Sequence, residues 1–290
     1  RVPADSFLYN GFWLPIHEQR LKNTAGQERN FSGTIGYTGD AGYSLVSFSQ
    51  VHQQIGFFSG AHGIPTANSL SHDGDFRNLD FPYQDVMHRK VLWNSSLKIK
   101  ESWLEADIGL QHNYRQEISY PHTHGDFYPP DAGNLEHGFD LKTLSWNLRW
   151  RKSGAKWAPK LGASGQIQQN RVSGFSYLIP NFDAWQSGLW AMVTRPLNTR
   201  WSFSGGARVD FAGQSVQTFD QVRYNQNDEI VDTLRLLQGF QRNYANWSAS
   251  LGFVYNPSKH YRWRFNLASS FRLPTVPELG ADGVHHGTFR

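Results

Sequence analysis

The 290-residue chain contains no cysteine, which excludes disulfide staples and thiolate chemistry. It has no apolar run of about 18 residues, so no stretch is fit to cross a bilayer as a helix. Charged residues make up 18%, and the net charge of +4 is dispersed. No Lys/Arg run of the kind that marks a nucleic-acid site is present, so nucleic acid is not an expected partner. Helix formers are not enriched. The chain opens Arg1-Val2-Pro3 without a signal peptide and closes just after a loop-like stretch, so it is expected to be part of a longer protein.

What the sequence does have is aromatic residues (15%), 27 glycines and alternation. In Arg200–Phe211, one set of alternate residues is Trp201, Phe203, Gly205, Ala207, Val209 and Phe211. The other set is Arg200, Ser202, Ser204, Gly206, Arg208 and Asp210. A period of two puts these sets on opposite faces of a β-strand. The stretch is long for a soluble strand but suits a tilted membrane-spanning one, which needs roughly 9–11 residues. Its aromatic ends suit the two membrane interfaces. The pattern recurs in Leu104–Tyr114, Leu144–Trp150, Lys160–Gln168, Ala245–Tyr255 and Tyr261–Phe271. In these strands the apolar set holds no Lys, Arg, Asp or Glu. The polar set holds Glu105, Asp107, Arg149, Lys160, Arg208, Asp210, Arg262 and Arg264. A mean hydropathy of −0.57 does not oppose a membrane protein built this way, because only alternate residues need be apolar.

Taken in order, residues 1–27 read as a loop, and strands are expected near 28–38 and 43–55. The second of these has poor parity at Leu45, Val46, Phe48 and Val51, which a bulge would reconcile. Strands near 87–99, 103–116, 138–151, 160–170, 183–194, 200–212, 245–255 and 261–271 follow. Short turns at 39–42, 100–102, 152–155, 195–198 and 256–259 alternate with longer connections at 56–85, 117–137, 171–182 and 213–240. About ten strands with all short turns at one end describe an antiparallel up-and-down transmembrane β-barrel. Closure is what satisfies the backbone in lipid.

Two stretches resemble the TonB-dependent outer-membrane receptors. One is Leu21–Asn30 with Gly56–Pro65. The more specific is Phe271-Arg272-Leu273-Pro274-Thr275-Val276-Pro277-Glu278-Leu279, followed by a Gly/His-rich loop. The resemblance covers essentially the whole chain. It implies a 22-stranded type of barrel, of which residues 1–290 are a partial barrel domain, with the plug domain and C-terminal strands absent from this chain. It also implies residence in the bacterial outer membrane, among lipid and lipopolysaccharide, and uptake of a scarce small-molecule nutrient through a plug and the TonB complex. The expected cargo is an iron, haem, zinc or cobalamin-type complex. No intrinsic cofactor and no enzymatic activity are expected. A porin or adhesin, or a soluble all-β ligand-binding domain, is the alternative.

Several residues carry candidate chemistry. His62, His72, His122, His124, His137, His285 and His286 fall in expected loops. His122-Thr123-His124 puts two imidazoles on one side of an extended segment, a spacing that can grip a metal. Polar loops also carry histidine for no such reason. Within the resemblance, Arg272, Pro274, Pro277 and Glu278 read as structural. Glu105 and Asp107 lie on one face, a pair a glycosidase could use; balance for the neighbouring Arg and Lys is the plainer reading. Ser95-x-x-Lys98 matches a fragment of a serine-acylase motif without its companions. The sequons at Asn30, Asn94 and Asn246 fall within strands.

Overall fold

In the computed structural model of the protein, residues 3–9, 11–58, 74–121, 133–152, 156–225 and 227–280 are described. A small hairpin, β1 (Ser6–Tyr9) and β2 (Phe12–Pro15), precedes the main sheet. The sheet then runs β3 (Gly26–Gly39), β4 (Gly42–Gly56), β5 (Tyr83–Ile99), β6 (Ser102–Ile118), β7 (Leu135–Lys152), β8 (Ala158–Ser173), β9 (Phe182–Pro196) and β10 (Trp201–Val216). A second hairpin, β11 (Phe219–Tyr224) and β12 (Ile230–Leu237), is followed by β13 (Phe240–Tyr255), β14 (Trp263–Ala268) and the one-turn helix α1 (Val276–Gly280). β3–β10, β13 and β14 form one ten-stranded sheet in which sequence order is spatial order. All pairs are antiparallel. The sheet is an open segment of wall, with β3 and β14 as its edges.

The register turns the period-two pattern into two continuous faces. Ala106, Leu148, Ala163, Leu189, Val209 and Trp247 form one cross-strand row. Asp107, Asn147, Ser164, Gly188, Asp210 and Asn246 form its neighbour on the opposite face. The apolar row is bare: Leu189 is 61% exposed and Trp247 72%. Water would penalise such a surface at roughly 25 cal/mol per Å², whereas hydrocarbon would not. At the short-turn end this face carries Trp201 stacked on Tyr255 (4.2 Å) and Trp157 beneath Arg195 (4.3 Å). The nine longer strands run 14–18 residues. They exceed the roughly 9–11 needed to span and continue past the apolar band at the long-loop end.

Two glycines owe their place to close aromatic contact. The Trp190 indole lies against Gly162 on the polar face, and the Trp146 indole against Gly165 on the apolar face. A Cβ at either position would meet the ring.

The structure corrects several expectations. β4 has no bulge: its register to β3 and β5 is unbroken. Val46 and Phe48 share the apolar face with Trp93 and Val91, while Leu45 and Val51 face the polar side. The poor parity reflects apolar residues on the polar face. Residues 1–27 are not one loop but contain β1 and β2, and the expected 213–240 loop contains β11 and β12. Arg262 lies in the short turn before β14 and donates to Asn256 (2.9 Å); it is not a strand residue. Trp103, near the start of β6, pairs in register with Arg151 on the polar face.

Candidate functional site

The polar face is a wall of paired charges. Arg149 stands opposite Glu105 in register and reaches two carboxylates, with Nε 3.0 Å from Glu105 and Nη2 2.8 Å from Asp107. Arg151 adds a 2.9 Å contact to Glu105, and Asn94 donates to Asp107 at 2.7 Å. The paired carboxylates therefore serve as acceptors for two arginines. Farther round, Arg208 grips Asp210 (2.7 and 2.8 Å from Nε) and donates to Ser164 (2.9 Å). Pairing of this kind is what lets charges leave bulk water. Arg264 pairs in register with Val254 on the edge strand β14. Ser95 donates to the Tyr43 carbonyl (3.1 Å) and lies on the opposite strand face from Lys98, so their spacing brings no base to the hydroxyl.

After β14 the chain leaves the sheet and crosses the polar face as a strap, residues 271–280. Thr275 precedes α1 and Glu278 follows three residues on, the capping-box spacing. Glu278 accepts from the Thr275 N–H (2.7 Å) and hydroxyl (3.0 Å). Arg272 clasps both Glu278 oxygens (3.0 and 2.7 Å). The Arg272 guanidinium, then the Thr275 donors, hold the Glu278 carboxyl well below its ordinary value, at about 2. Pro277 sits in the first turn, where its missing N–H is one of the helix's unused donors. The Pro274 carbonyl accepts from Gln214 Nε2 (2.8 Å), and the Tyr177 hydroxyl donates to the Gly280 carbonyl (2.8 Å). Val276 is buried with Phe182 and Val216, flanked by Leu141, Leu237 and Phe240. The strap is thus moored to β7, β9 and β10 by an apolar cluster and the Gln214 hydrogen bond, and to the β8–β9 connection by the Tyr177 hydrogen bond.

Beneath the strap is a cavity of about 360 Å³. Gln166, Gln168, Asn170, Gln186 and Gln214 line it with Leu273 and Pro274, and none of its lining residues is titratable. Gln214 Oε1 is buried without a hydrogen-bond partner among the described residues. The Tyr244 hydroxyl is likewise buried and unpartnered there; Tyr244 stands opposite Ala212, which lines the cavity. A buried acceptor left unmade costs about 1–3 kcal/mol. The site therefore favours a neutral molecule that supplies N–H or O–H donors.

The histidines fare differently. His137 is not in a loop: it lies in β7 and is 2% exposed. His137, Phe139 and Leu141 continue the inward phase of the strand. Backbone bonds from Phe175 and Ser176 to the carbonyls of Leu135 and Glu136 (3.1 and 3.0 Å) close over that end. His137 Nδ1 faces Glu117 at 3.2 Å, Glu117 is held by Arg115, and Ser119 donates to Glu136 at 2.8 Å. His62, His72, His122, His124, His285 and His286 lie outside the described residues. Among the described residues no group of three or more His, Asp or Glu is arranged to hold a metal ion. The alternation of β8 places Gln166 and Gln168 on the polar face, but no local signal brings the strap to them.

A sequence model of the family described as TonB dependent receptor-like, beta-barrel matches residues 12–290. No curated protein sequence matches the chain. Among solved structures, the FrpB iron transporter from Neisseria meningitidis is similar at 14% identity and TM-score 0.57, covering 90% of this chain and 39% of its own. The ferric-catecholate import receptor Fiu from E. coli K12, in its open form, is similar at 10% identity and TM-score 0.59, covering 88% and 49%. The ferric yersiniabactin uptake receptor FyuA from Yersinia pestis is similar at 8% and TM-score 0.56, covering 85% and 40%. The chain thus spans less than half the length of these structures, and at such identities the likeness is one of fold. The family model matches all but the first 11 residues, and the chain belongs to the TonB-dependent receptor-like β-barrel family.

Proposed function

We propose that this chain is the partial barrel of an outer-membrane receptor that takes up a scarce nutrient, an iron or other metal chelate, by TonB-driven transport. In this reading a plug domain and further strands belong to the same protein, the plug fills the polar interior, and the TonB complex acts through it. The observation that carries the reading is the pairing of a bare apolar outer face with a charge-paired inner face that seats a strap over a hydrogen-bonding cavity. TonB-dependent receptor barrels are outer-membrane proteins, and the similar folds are named as iron or ferric-chelate importers, which supports an iron complex as cargo. The cavity offers carboxamides and no His, Asp or Glu. Such a lining fits the organic shell of a chelate and leaves its metal uncontacted. The loop histidines His62, His122, His124, His285 and His286 are proposed as further cargo contacts.

The test is energised uptake of radiolabelled ferric chelates by iron-starved cells carrying the full-length gene. Accumulation is expected to disappear with gene deletion and with a protonophore. Gln168→Leu/Gln186→Leu is expected to weaken chelate binding by about tenfold with no change in the amount of protein inserted. Accumulation that survives the protonophore would contradict TonB-driven transport.

A further inference from the structure

On the outer face, at the upper margin of the apolar band, one register row reads Gln50, Arg89, His112, Lys142 and Gln169 across β4–β8. Three basic side chains thus stand on three adjacent strands, about 5 Å apart. Arg89 and Lys142 carry like charge on either side of His112. The counter-charge is thin. Arg89 donates to the neutral Gln50 (3.0 Å). Asp140, one row farther out, is shared between His112 (2.9 Å) and Lys142 (3.7 Å). The next cation in Asp140's row, Arg171, is already taken by Asp183.

The row immediately below is wholly apolar: Phe48, Val91, Leu110, Leu144 and Ile167. Arg89, His112 and Lys142 together with Val91, Leu110, Leu144 and Ile167 border a groove of about 500 Å³. Below it, on the same strands and on to β10, a second groove of about 940 Å³ is walled by Trp93, Leu97, Leu104, Leu148 and Leu161. A basic shelf above an apolar trough is complementary to an anionic amphiphile lying along the wall. The position of the shelf, at the long-loop end, is that of the outer leaflet in a barrel of this orientation.

We propose that Arg89, His112 and Lys142 hold the phosphate of a phosphorylated, multiply acylated glycolipid whose chains lie in the grooves of β5–β8. The proposal rests on the membrane reading of the barrel but not on its cargo. Guanidinium and ammonium groups bind phosphate through charge-assisted hydrogen bonds. Each cation near a charged lipid surface strengthens attachment severalfold. Occupancy would also relieve the repulsion along the row.

The experiment uses the full-length receptor, purified in detergent and stripped of lipid, with heat-modifiable gel mobility confirming a folded barrel in every sample. Binding of bisphosphorylated hexa-acylated diglucosamine lipid is compared with that of its dephosphorylated form by native mass spectrometry. The wild type is expected to bind the phosphorylated lipid at least tenfold more tightly. Arg89→Gln/Lys142→Gln is expected to erase that preference, and Arg89→Lys/Lys142→Arg to keep it. Equal binding of the two lipids by wild type, or an unchanged preference in the Gln variant, would overturn the proposal. So would complete displacement of the lipid by millimolar inorganic phosphate, which would assign the shelf to a free anion. A sample lacking heat-modifiable mobility at wild type would instead refute the barrel reading beneath it.

Discussion

Leu148 and Arg149 are consecutive residues of β7 that face different solvents. Leu148 is 44% exposed in an apolar row. The Arg149 side chain is exposed to a similar degree, 37%, yet its guanidinium is paired with Glu105 and Asp107. In a soluble sheet the apolar side would be the buried one. Here the apolar side is bare, and the tightly packed residues, such as Val276, Phe182 and Val216, are on the polar side. Exposure alone does not rank these residues. The outer face is stabilised by what surrounds it, and the inner face by what it pairs with.

Moving one charge between the faces tests this difference. Leu148→Arg puts a cation near the middle of the apolar band and is expected to cost about 2–4 kcal/mol in urea titrations of the barrel in lipid vesicles. Asn147→Arg puts the same side chain on the opposite face, beside Asp107 in register, and is expected to change stability by no more than about 0.5 kcal/mol. Equal costs would show that the two faces meet the same solvent.

A smaller effect sharpens the inner-face account. The Glu278 carboxyl is held at about 2 against an ordinary 4.5 by Arg272 and Thr275. A depressed carboxyl contributes its stabilisation above the ordinary value and loses it as the pH falls through the folded one. Amide protection of residues 271–280 is therefore expected to be flat from pH 8 to 5 and to drop between about 4.5 and 2. In Glu278→Gln the drop should vanish, leaving a weaker, pH-independent strap. A wild-type strap that loosens between pH 8 and 6 would point to another group.

Much of this architecture is legible because lipid imposes one rule on every strand. Period two and short turns at one end locate all ten strands of the sheet, and the Phe271–Leu279 stretch points to the family. What is missed depends on non-local packing. β7 extends back to Leu135 because residues 174–176 close over it, which buries His137. The strap docks on residues roughly 60 to 135 positions away in the chain, such as Gln214, Tyr177 and Leu141, and no local pattern encodes that. The β1–β2 hairpin is a different case: Asn10-Gly11, between Leu8-Tyr9 and Phe12-Trp13, is a strong local hairpin signal. In β4 the apolar residues on the inner face defeated a parity rule that holds for the outer face alone.

The most direct test uses the absence of cysteine. Single cysteines from Phe203→Cys to Phe211→Cys along β10, spin-labelled in the full-length protein in bilayers, report accessibility to oxygen and to a water-soluble nickel chelate. The account predicts alternation, with 203, 205, 207, 209 and 211 favouring oxygen and 204, 206, 208 and 210 favouring the nickel chelate. Accessibility without a period of two, or with the opposite phase, would contradict an apolar face in lipid and a polar face within.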